Sequence, residues 1–282
     1  MSGNLPTNLR RRDHDAAVIG AAIEYALSVV TAFESWMRTY GPDERRAATR
    51  PFEGLDLLEV GPGETVGSSA LLACAGARVS AADRFETRWD PGYHAPFFEA
   101  LLGAVVTHRP HFDPAPIKRL LTAQGFVPEV VDYRPYASED LRRFGTGFDV
   151  VLSNAVLEHV HDLHVTAANL ATVTKAGGCG FHQVDLRDHR DFTRPLEYLT
   201  VSRADYENVR EQTFCERGCQ WRLSTIGAAL EAAGFAQQSF PNMFAEDAYL
   251  ADLRPRLHDE FAAMADDDLK VLSALYVVRR DR

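Results

Sequence analysis

A glycine turn between a buried strand and a helix is the feature that most constrains how this chain can fold. An apolar run at residues 56–60 leads into Gly61 and Gly63, and a second run at residues 78–82 ends at Asp83. Because glycine lacks a Cβ, the backbone at these two positions can turn tightly and lie directly against a ligand. A carboxylate at the end of the neighbouring strand is suited to bind both hydroxyls of a ribose. The pattern predicts a βαβ unit that holds a nucleoside.

The spacing around the glycines separates two classes of nucleoside cofactor. Dinucleotide-binding folds use G-x-G-x-x-G, in which the third glycine allows the helix to pack closely on the strand. In this chain that third position is Val66. Glu59, which precedes the turn, would repel a pyrophosphate but could face a cationic amino group. The turn therefore argues against NAD.

Four segments, in the expected order, resemble the motifs of one enzyme family. The pattern E-x-G-x-G at residues 59–63 resembles the first motif of class I S-adenosylmethionine-dependent methyltransferases, and residues 148–160 resemble their fourth-strand motif. Residues 175–178 and 231–235 resemble the turns before strands five and six, so the resemblance extends from residue 55 onward. It implies an α/β, Rossmann-like, doubly wound sheet of seven mostly parallel strands with helices on both faces. It also implies S-adenosylmethionine as the cofactor.

The same resemblance indicates which residues would hold this cofactor. The glycines would lie against its methionine part, Asp83 would bind the ribose, and the backbone of Asn154 would contact the amino group. Glu59 would contact the same amino group, directly or through water; the alternative is a carboxylate that caps the nearby helix. The adenine would lie near residues 136–140, where the family often has Asp-Ala and this chain has Tyr-Ala. The predicted cofactor-binding residues are Glu59, Gly61, Pro62, Gly63, Asp83, Arg84, Ala137, Ser138 and Asn154.

In methyl transfer the protein must align the acceptor with the methyl group, exclude water and, for a hydroxyl acceptor, help to remove a proton. His159 follows the fourth strand and could be the general base or a helix-start histidine bonded to backbone. His189 could be the base, oriented by Asp185 or Asp188, unless residues 182–189 form only a salt-bridged loop. The predicted catalytic residues are His189, His159 and Asp185, and the predicted substrate-binding residues are Arg187, His182, Arg222 and Tyr93.

No metal site is predicted. Some quinone-ring O-methyltransferases that resemble the fourth-strand motif bind a divalent metal through two glutamates and a histidine. This chain has Glu158 and His159, but Ala155 stands where the other glutamate would be. Cys215 and Cys219 are spaced like two zinc ligands, yet a structural zinc site needs four ligands and no second pair follows.

Composition and net charge limit the kinds of molecule that the protein is expected to bind. The chain has 282 residues, of which 46% are hydrophobic, enough for one large domain with a cap. Its formal net charge of -10 disfavours a nucleic-acid partner and favours small molecules. No apolar run is expected to approach the ~20 residues of a membrane span, and no secretory signal is evident, so a cytoplasmic location is expected. Four scattered cysteines predict reduced thiols.

The predicted organisation is a helical extension at residues 1–50 and a methyltransferase domain at residues 51–282, with cap insertions at about 84–126 and 186–222. A long amphipathic helix would start at Asp13 or Asp15, end at Gly41 and pack on the domain or on a partner subunit in a homodimer. The predicted strands are 56–60, 78–82, 127–133, 148–153, 179–185, 237–240 and 271–278, and the later helices are 66–75, 97–106, 116–123, 163–174, 224–233 and 245–264.

These inferences predict a methyltransferase that transfers a methyl group to a small-molecule acceptor, with a hydroxyl of a sugar or secondary metabolite as the expected target. One alternative is a non-catalytic nucleoside-binding scaffold or sensor, against which the histidine-rich cleft counts. A less favoured alternative is an NAD-dependent oxidoreductase, which would bind NADH rather than the sulfonium cofactor.

Overall fold

A computed structural model describes residues 15–213 and 216–281 of the chain. In this part of the chain, seven strands form one sheet in the order β3-β2-β1-β4-β5-β7-β6. The strands are β1 (Asp56–Val60), β2 (Arg78–Ala82), β3 (Val131–Arg134), β4 (Phe148–Asn154), β5 (Thr174–Asp185), β6 (Phe235–Phe244) and β7 (Val271–Arg280). The helices are α1 (Ala16–Tyr40), α2 (Asp43–Arg46), α3 (Gly67–Cys74), α4 (Pro91–His108), α5 (Ala115–Ala123), α6 (Leu163–Val173), α7 (Arg203–Gln212), α8 (Leu223–Ala232), α9 (Asp247–Leu253), α10 (Asp259–Ala262) and α11 (Asp266–Leu269).

The pairing confirms the predicted doubly wound α/β fold. Strands β1 to β5 pair in parallel, and β7 runs antiparallel between β5 and β6. The chain order reverses between β1 and β4, which are paired neighbours. Open parallel sheets bind ligands outside the carboxyl ends of the strands at such a reversal point. The fold therefore places a binding cleft beside the glycine turn.

Helices cover both faces of the sheet. On one face, helices α1, α3, α4 and α5 form a core with the side of β1 that carries Leu57. Phe33, Phe97 and Phe98 are fully buried in this core. On the other face, α6 and α8 pack against the opposite side of the same strands. A third apolar cluster lies between the segment that follows β5 and helices α9 to α11. Strand β1 is buried on both sides because each face has its own helical layer.

Helix α1 begins and ends at the residues predicted to cap it. The Asp15 side chain accepts a hydrogen bond from the backbone N–H of Ala17 (2.7 Å), and the helix ends at Gly41; Asp13 lies outside the described residues. Its buried side chains join the first core, so the helix packs on the domain. By length and composition alone, α1 could also span a membrane, a test that core helices of soluble proteins pass as well. The sequence-based expectation that no apolar run approaches a membrane span missed this helix, because isolated polar residues interrupt its apolar sequence.

Several predicted elements differ in the structure. Strand β3 begins at Val131 rather than at residue 127, α4 begins at Pro91 rather than at residue 97, and β6 extends beyond the predicted 237–240 at both ends. The predicted helix at 245–264 is divided into α9, a 3₁₀ turn at Arg254–Arg256 and α10. Pro255 has no N–H to continue the α-helical hydrogen bonds, and the backbone leaves the helical region at Leu257 (ψ 140°). The predicted turn at 175–178 lies inside β5 as a bulge, since the pairing with β4 jumps from Thr174 to Cys179.

The two predicted cap insertions have different positions. Most of segment 84–126 forms α4 and α5, which pack against α1 and α3 in the helical layer, because its large aromatic side chains are buried there. Segment 186–222 contributes to the third apolar cluster and to the rim of the cleft. The boundary between extension and domain stays a prediction. Cys74, Cys179 and Cys219 are buried free thiols, and Cys215 lies outside the described residues.

Candidate functional site

A cavity of about 450 Å³ lies at the carboxyl edge of the sheet, where β1 and β4 meet. Loops after four parallel strands and the segment after β5 line it. The loop residues that line the cavity are Gly61, Gly63 and Glu64 after β1; Asp83, Arg84 and Phe85 after β2; Tyr136, Ser138 and Glu139 after β3; Ala155, Val156, His159 and His161 after β4; and His189 and Glu216 beyond β5.

The glycine turn presents bare backbone to this cavity. Gly61 and Gly63 both have φ of +72°, a left-handed conformation that favours glycine. A Cβ on Gly61 would approach Val156 Cγ2 to 2.4 Å, whereas a Cβ on Gly63 would meet no protein atom within 4 Å. Gly61 is therefore needed for packing against the loop after β4. At Gly63 the space that a side chain would fill is open to a ligand.

Glu59 lies beneath the turn rather than on the cavity surface. It is 2% exposed and accepts a hydrogen bond from the Ser69 hydroxyl in the first turn of α3. Burial raises the pKa of Glu59 to about 7, although hydrogen bonds from Ser68 and Ser69 act in the opposite direction. This position matches the alternative in which the carboxylate supports the start of the helix. Contact with a cofactor stays a prediction.

Asp83 lies in the cavity wall at the end of β2, as the sequence predicts. Its Oδ1 accepts a hydrogen bond from the backbone N–H of Phe85 (3.0 Å), which fixes the orientation of the carboxylate. Arg84 and Phe85 continue the wall on the same side. The side chain is thus held at the edge of the cavity, where it can accept hydrogen bonds from a ligand.

The loop after β3 forms another wall, near residues expected to meet the adenine. Tyr136 and Ser138 line the cavity, while Ala137 between them does not. Glu139 accepts hydrogen bonds from the backbone N–H groups of His161 (2.8 Å) and Asp162 (3.1 Å). Burial raises the pKa of Glu139, but these bonds and others outweigh it and hold the pKa below its ordinary value. An ionised carboxylate therefore ties this loop to the loop after β4.

At the far end of the cavity, the structure brings the predicted catalytic histidines together. The imidazole rings of His159 and His189 lie edge to face with centroids 4.9 Å apart. His189 Nε2 is 3.8 Å from Asp185 Oδ2, so the predicted neighbour of His189 is present. Asp188 is instead buried and paired with Arg190. His189 and Asp185 are thus neighbours beside His159, but no hydrogen bond joins them, because the Asp185 carboxylate accepts from the Arg187 guanidinium; orientation of His189 by Asp185 stays a prediction.

Glu158 lies directly behind these rings. It is 1% exposed, its Oε1 accepts the backbone N–H of Asp185 (3.1 Å), and His159 Nε2 is 3.9 Å from the same oxygen. Burial raises the pKa of Glu158 to about 8. At this end of the cavity, two imidazoles lie in the wall, and the carboxyl groups of Glu158 and Asp185 lie next to them.

Three predicted substrate-binding residues are buried away from the cavity. Tyr93 is 1% exposed and packs in the first core beside Phe97. His182 is fully buried, its Nδ1 lies 2.8 Å from Ser153 Oγ, and burial lowers its pKa to about 4. Arg222 is fully buried and holds backbone carbonyl groups together. Their positions contradict a direct contact with substrate.

Arg187, the fourth predicted substrate-binding residue, also lies outside the cavity wall, but it is not deeply buried. Its guanidinium pairs with Asp185 (2.6 Å) and lies over the Phe192 ring, 4.2 Å from the centroid, and it is not part of the cavity wall. Pro62 and Asn154 also lie next to wall residues rather than in the wall. The Asn154 side chain donates to the hydroxyl of Tyr25 on α1 (2.8 Å).

Sequence reasoning missed several residues of the wall: Glu64, Phe85, Val156, His161 and Glu216. Glu64 and Phe85 directly follow predicted residues, and Val156 and His161 lie two residues beyond predicted ones, so the predicted strand ends could have indicated them. Glu216 lies in the long irregular segment after β5, where no periodic pattern indicates which side chain turns inward.

Comparisons with known proteins show what the sequence is similar to. A family model described as a methyltransferase domain matches residues 33–239, more than half of the chain. The ubiquinone biosynthesis O-methyltransferase of Mesorhizobium japonicum is 32% identical over 142 residues, which are 50% of this chain and 45% of that protein. The corresponding protein of Methylobacterium nodulans is 31% identical over 173 residues, which are 60% of this chain and 53% of that protein.

The chain spans about half the length of the curated relatives it matches. Among solved structures, an S-adenosylmethionine-dependent methyltransferase from Mesorhizobium loti is 16% identical with a TM-score of 0.48, over 85% of this chain and 97% of that chain.

Proposed function

Because the chain belongs to the methyltransferase domain family, we propose that it transfers a methyl group from S-adenosylmethionine to a hydroxyl oxygen of a small-molecule acceptor. The observation that carries this proposal is one cavity that contains bare glycine backbone, a carboxylate suited to a ribose and a pair of imidazoles. The first two features fit a nucleoside attached to an amino acid. The imidazoles fit an acceptor that must lose a proton.

The cofactor would lie along the loops after β1, β2 and β3. The backbone at Gly63 offers room for the methionine part, and Asp83 offers carboxylate oxygens to the ribose hydroxyls. The adenine would lie toward Phe85 and Tyr136, whose rings offer apolar surface. Glu59, beneath the turn, would act on the cationic amino group through its charge. When bound, S-adenosylmethionine supplies an electrophilic methyl group on a sulfonium sulfur.

The acceptor would lie at the end formed by His159 and His189. These side chains promote loss of the hydroxyl proton, so that the acceptor oxygen can attack the methyl carbon. A phenolic hydroxyl, with an ordinary pKa of about 10, is a more suitable partner for imidazoles than a sugar alcohol, which is less acidic. The curated relatives are named for ubiquinone biosynthesis, which also favours a hydroxyl on an aromatic ring. We therefore favour a small phenol over the sugar expected from the sequence.

Two measurements test this function. Calorimetry should detect binding of S-adenosylmethionine and S-adenosylhomocysteine and none of NADH. Incubation with a panel of small hydroxylated aromatic compounds should then yield methyl ethers, detected by mass spectrometry, together with S-adenosylhomocysteine. Cofactor binding without turnover across phenols and sugars would favour the scaffold or sensor. Tight NADH binding without the sulfonium cofactor would favour the oxidoreductase.

A further inference from the structure

We propose that Glu158, His159 and His189 form a binding site for a divalent transition-metal ion at the acceptor end of the cavity. One ligand atom from each side chain can be chosen so that all three lie within 4.8 Å of one another. One carboxylate and two imidazoles that leave coordination positions open are a familiar ligand set for catalytic metals. The catalytic role of the ion depends on the proposed methyl transfer, but its binding does not.

The orientation of the His189 ring supports ligation. Its Nδ1 lies 3.2 Å from the carbonyl oxygen of Glu216. Because a carbonyl oxygen only accepts hydrogen bonds, Nδ1 carries the proton, and the neutral ring has its lone pair on Nε2. Metal-binding histidines are commonly oriented in this way by a backbone carbonyl.

The free side of the same ring faces carboxylate oxygens. His189 Nε2 is buried without a hydrogen-bond partner among the described residues, and it lies 3.8 Å from Asp185 Oδ2. A lone pair that faces carboxylates is unfavourable unless a positive charge lies between them. A bound cation would supply this charge.

Glu158 provides the second, independent observation. Its side chain is 1% exposed, and Oε2 is buried without a hydrogen-bond partner in the described part of the chain. A buried carboxylate oxygen in this state is costly unless it binds a cation or a proton. The other oxygen, Oε1, accepts the backbone N–H of Asp185 and lies 3.9 Å from His159 Nε2, so the carboxylate reaches the imidazoles.

The donor set indicates which metals would bind. Two imidazole nitrogens and one carboxylate suit zinc, manganese, iron and cobalt, whereas magnesium prefers oxygen ligands alone. The site differs from the two-glutamate arrangement of the quinone-ring enzymes, because Ala155 has no ligand atom and His189 reaches the cluster from a different segment. Such an ion acts as a Lewis acid that lowers the pKa of a coordinated hydroxyl.

Metal binding can be measured without any activity. Protein stripped with a chelator is titrated with Co²⁺, Zn²⁺ and Mg²⁺, by calorimetry for each ion and by visible absorption for Co²⁺. We expect binding of one ion per chain, with Zn²⁺ and Co²⁺ bound more tightly than Mg²⁺. His189→Ala should weaken Co²⁺ binding by at least ~10–100-fold, the loss typical when even an outer-shell partner of a metal site is removed.

His161→Ala is the matched control, since His161 lines the cavity but does not belong to the cluster. It should leave Co²⁺ binding unchanged. Affinity for S-adenosylhomocysteine, measured for every variant, verifies that the fold is intact. Glu158→Gln is a second test, and if it fails to fold, His189→Ala still decides the question because His189 lies in an irregular segment.

The proposal is overturned if the wild type binds no metal, if His189→Ala binds Co²⁺ as the wild type does, or if Mg²⁺ is preferred. Metal binding without methyl transfer would retain the site and reject the proposed function. Methyl transfer by protein that binds no metal would retain the function and reject the site, leaving the imidazoles to act as bases.

Discussion

The imidazoles of His159 and His189 lie with their ring centroids 4.9 Å apart at one edge of the sheet. His159 follows β4 and His189 follows β5, and these two strands are parallel neighbours. Because the carboxyl ends of parallel neighbours meet at the same edge, side chains from distant parts of the sequence come together there. Substitution of either histidine therefore tests the role proposed for this end of the cavity.

Replacing His189 by alanine should strongly slow methyl transfer while cofactor binding is retained. A group that promotes deprotonation, as a base or as a metal ligand, typically contributes about 10²–10⁴-fold to the rate. Turnover of an identified acceptor and calorimetry with S-adenosylhomocysteine measure the two effects separately. His164→Ala, an exposed position on α6, serves as the control and should have wild-type turnover. Full activity of His189→Ala would remove this residue from the mechanism.

Asp83→Ala should weaken binding of S-adenosylhomocysteine. The loss of hydrogen bonds to a charged acceptor costs roughly 1.5–3 kcal/mol, or about 10–150-fold in affinity. Asp83→Asn keeps an oxygen for the N–H of Phe85 and should have a smaller effect. Calorimetry on the three proteins provides the comparison, and equal affinities would mean that the ribose lies elsewhere.

Gly63→Ala separates backbone strain from ligand exclusion. Gly63 and Gly54 both have φ of +72°, and a Cβ on either would meet no protein atom within 4 Å. Each alanine variant should therefore lose about 1–2 kcal/mol of stability in denaturant unfolding. Only Gly63→Ala should also lose affinity for S-adenosylhomocysteine, because Gly54 lies outside the cavity wall. Equal affinities for both variants would show that no ligand lies against the turn.

Glu59 should make stability depend on pH. Burial raises its pKa from 4.5 to about 7 in the folded protein. Between these values the folded state holds a proton that the unfolded state has lost, so the free energy of unfolding falls as pH rises from about 4.5 to 7. At about 1.4 kcal/mol per pKa unit the decrease is at most roughly 3.5 kcal/mol. Urea unfolding of wild type and Glu59→Gln across this range should show a difference that follows this slope; parallel curves would contradict it.

The sequence predicted local elements well and burial less well. Strands β1 and β2 have the predicted ends because a short apolar run and a glycine turn are local signals. Alternation along β5 also places His182 on one face of the sheet, but it does not reveal that helices cover that face. Tyr93 lies on α4 and is buried in the first core, and the sequence of its segment does not show which side of that helix is covered. A polar or aromatic residue near a strand end is a site residue only if the surrounding layers leave it uncovered, and this depends on tertiary packing.

Arg222 tests whether burial excludes a predicted substrate-binding residue from the site, because its contacts indicate a structural role. The guanidinium is fully buried and donates to the carbonyl oxygens of Leu186 (2.9 Å) and Leu269 (2.7 Å), which joins the end of β5 to the start of β7. Arg222→Leu should remove the guanidinium donor from the Leu269 carbonyl, at a cost of about 1–3 kcal/mol, whereas the Leu186 carbonyl keeps the hydrogen bond from the Tyr198 hydroxyl (2.8 Å). Urea unfolding should therefore show a lower midpoint, while KM for the acceptor stays near the wild-type value in the folded protein. A raised KM with unchanged stability would instead mean that the arginine reaches the substrate, as the sequence alone predicts.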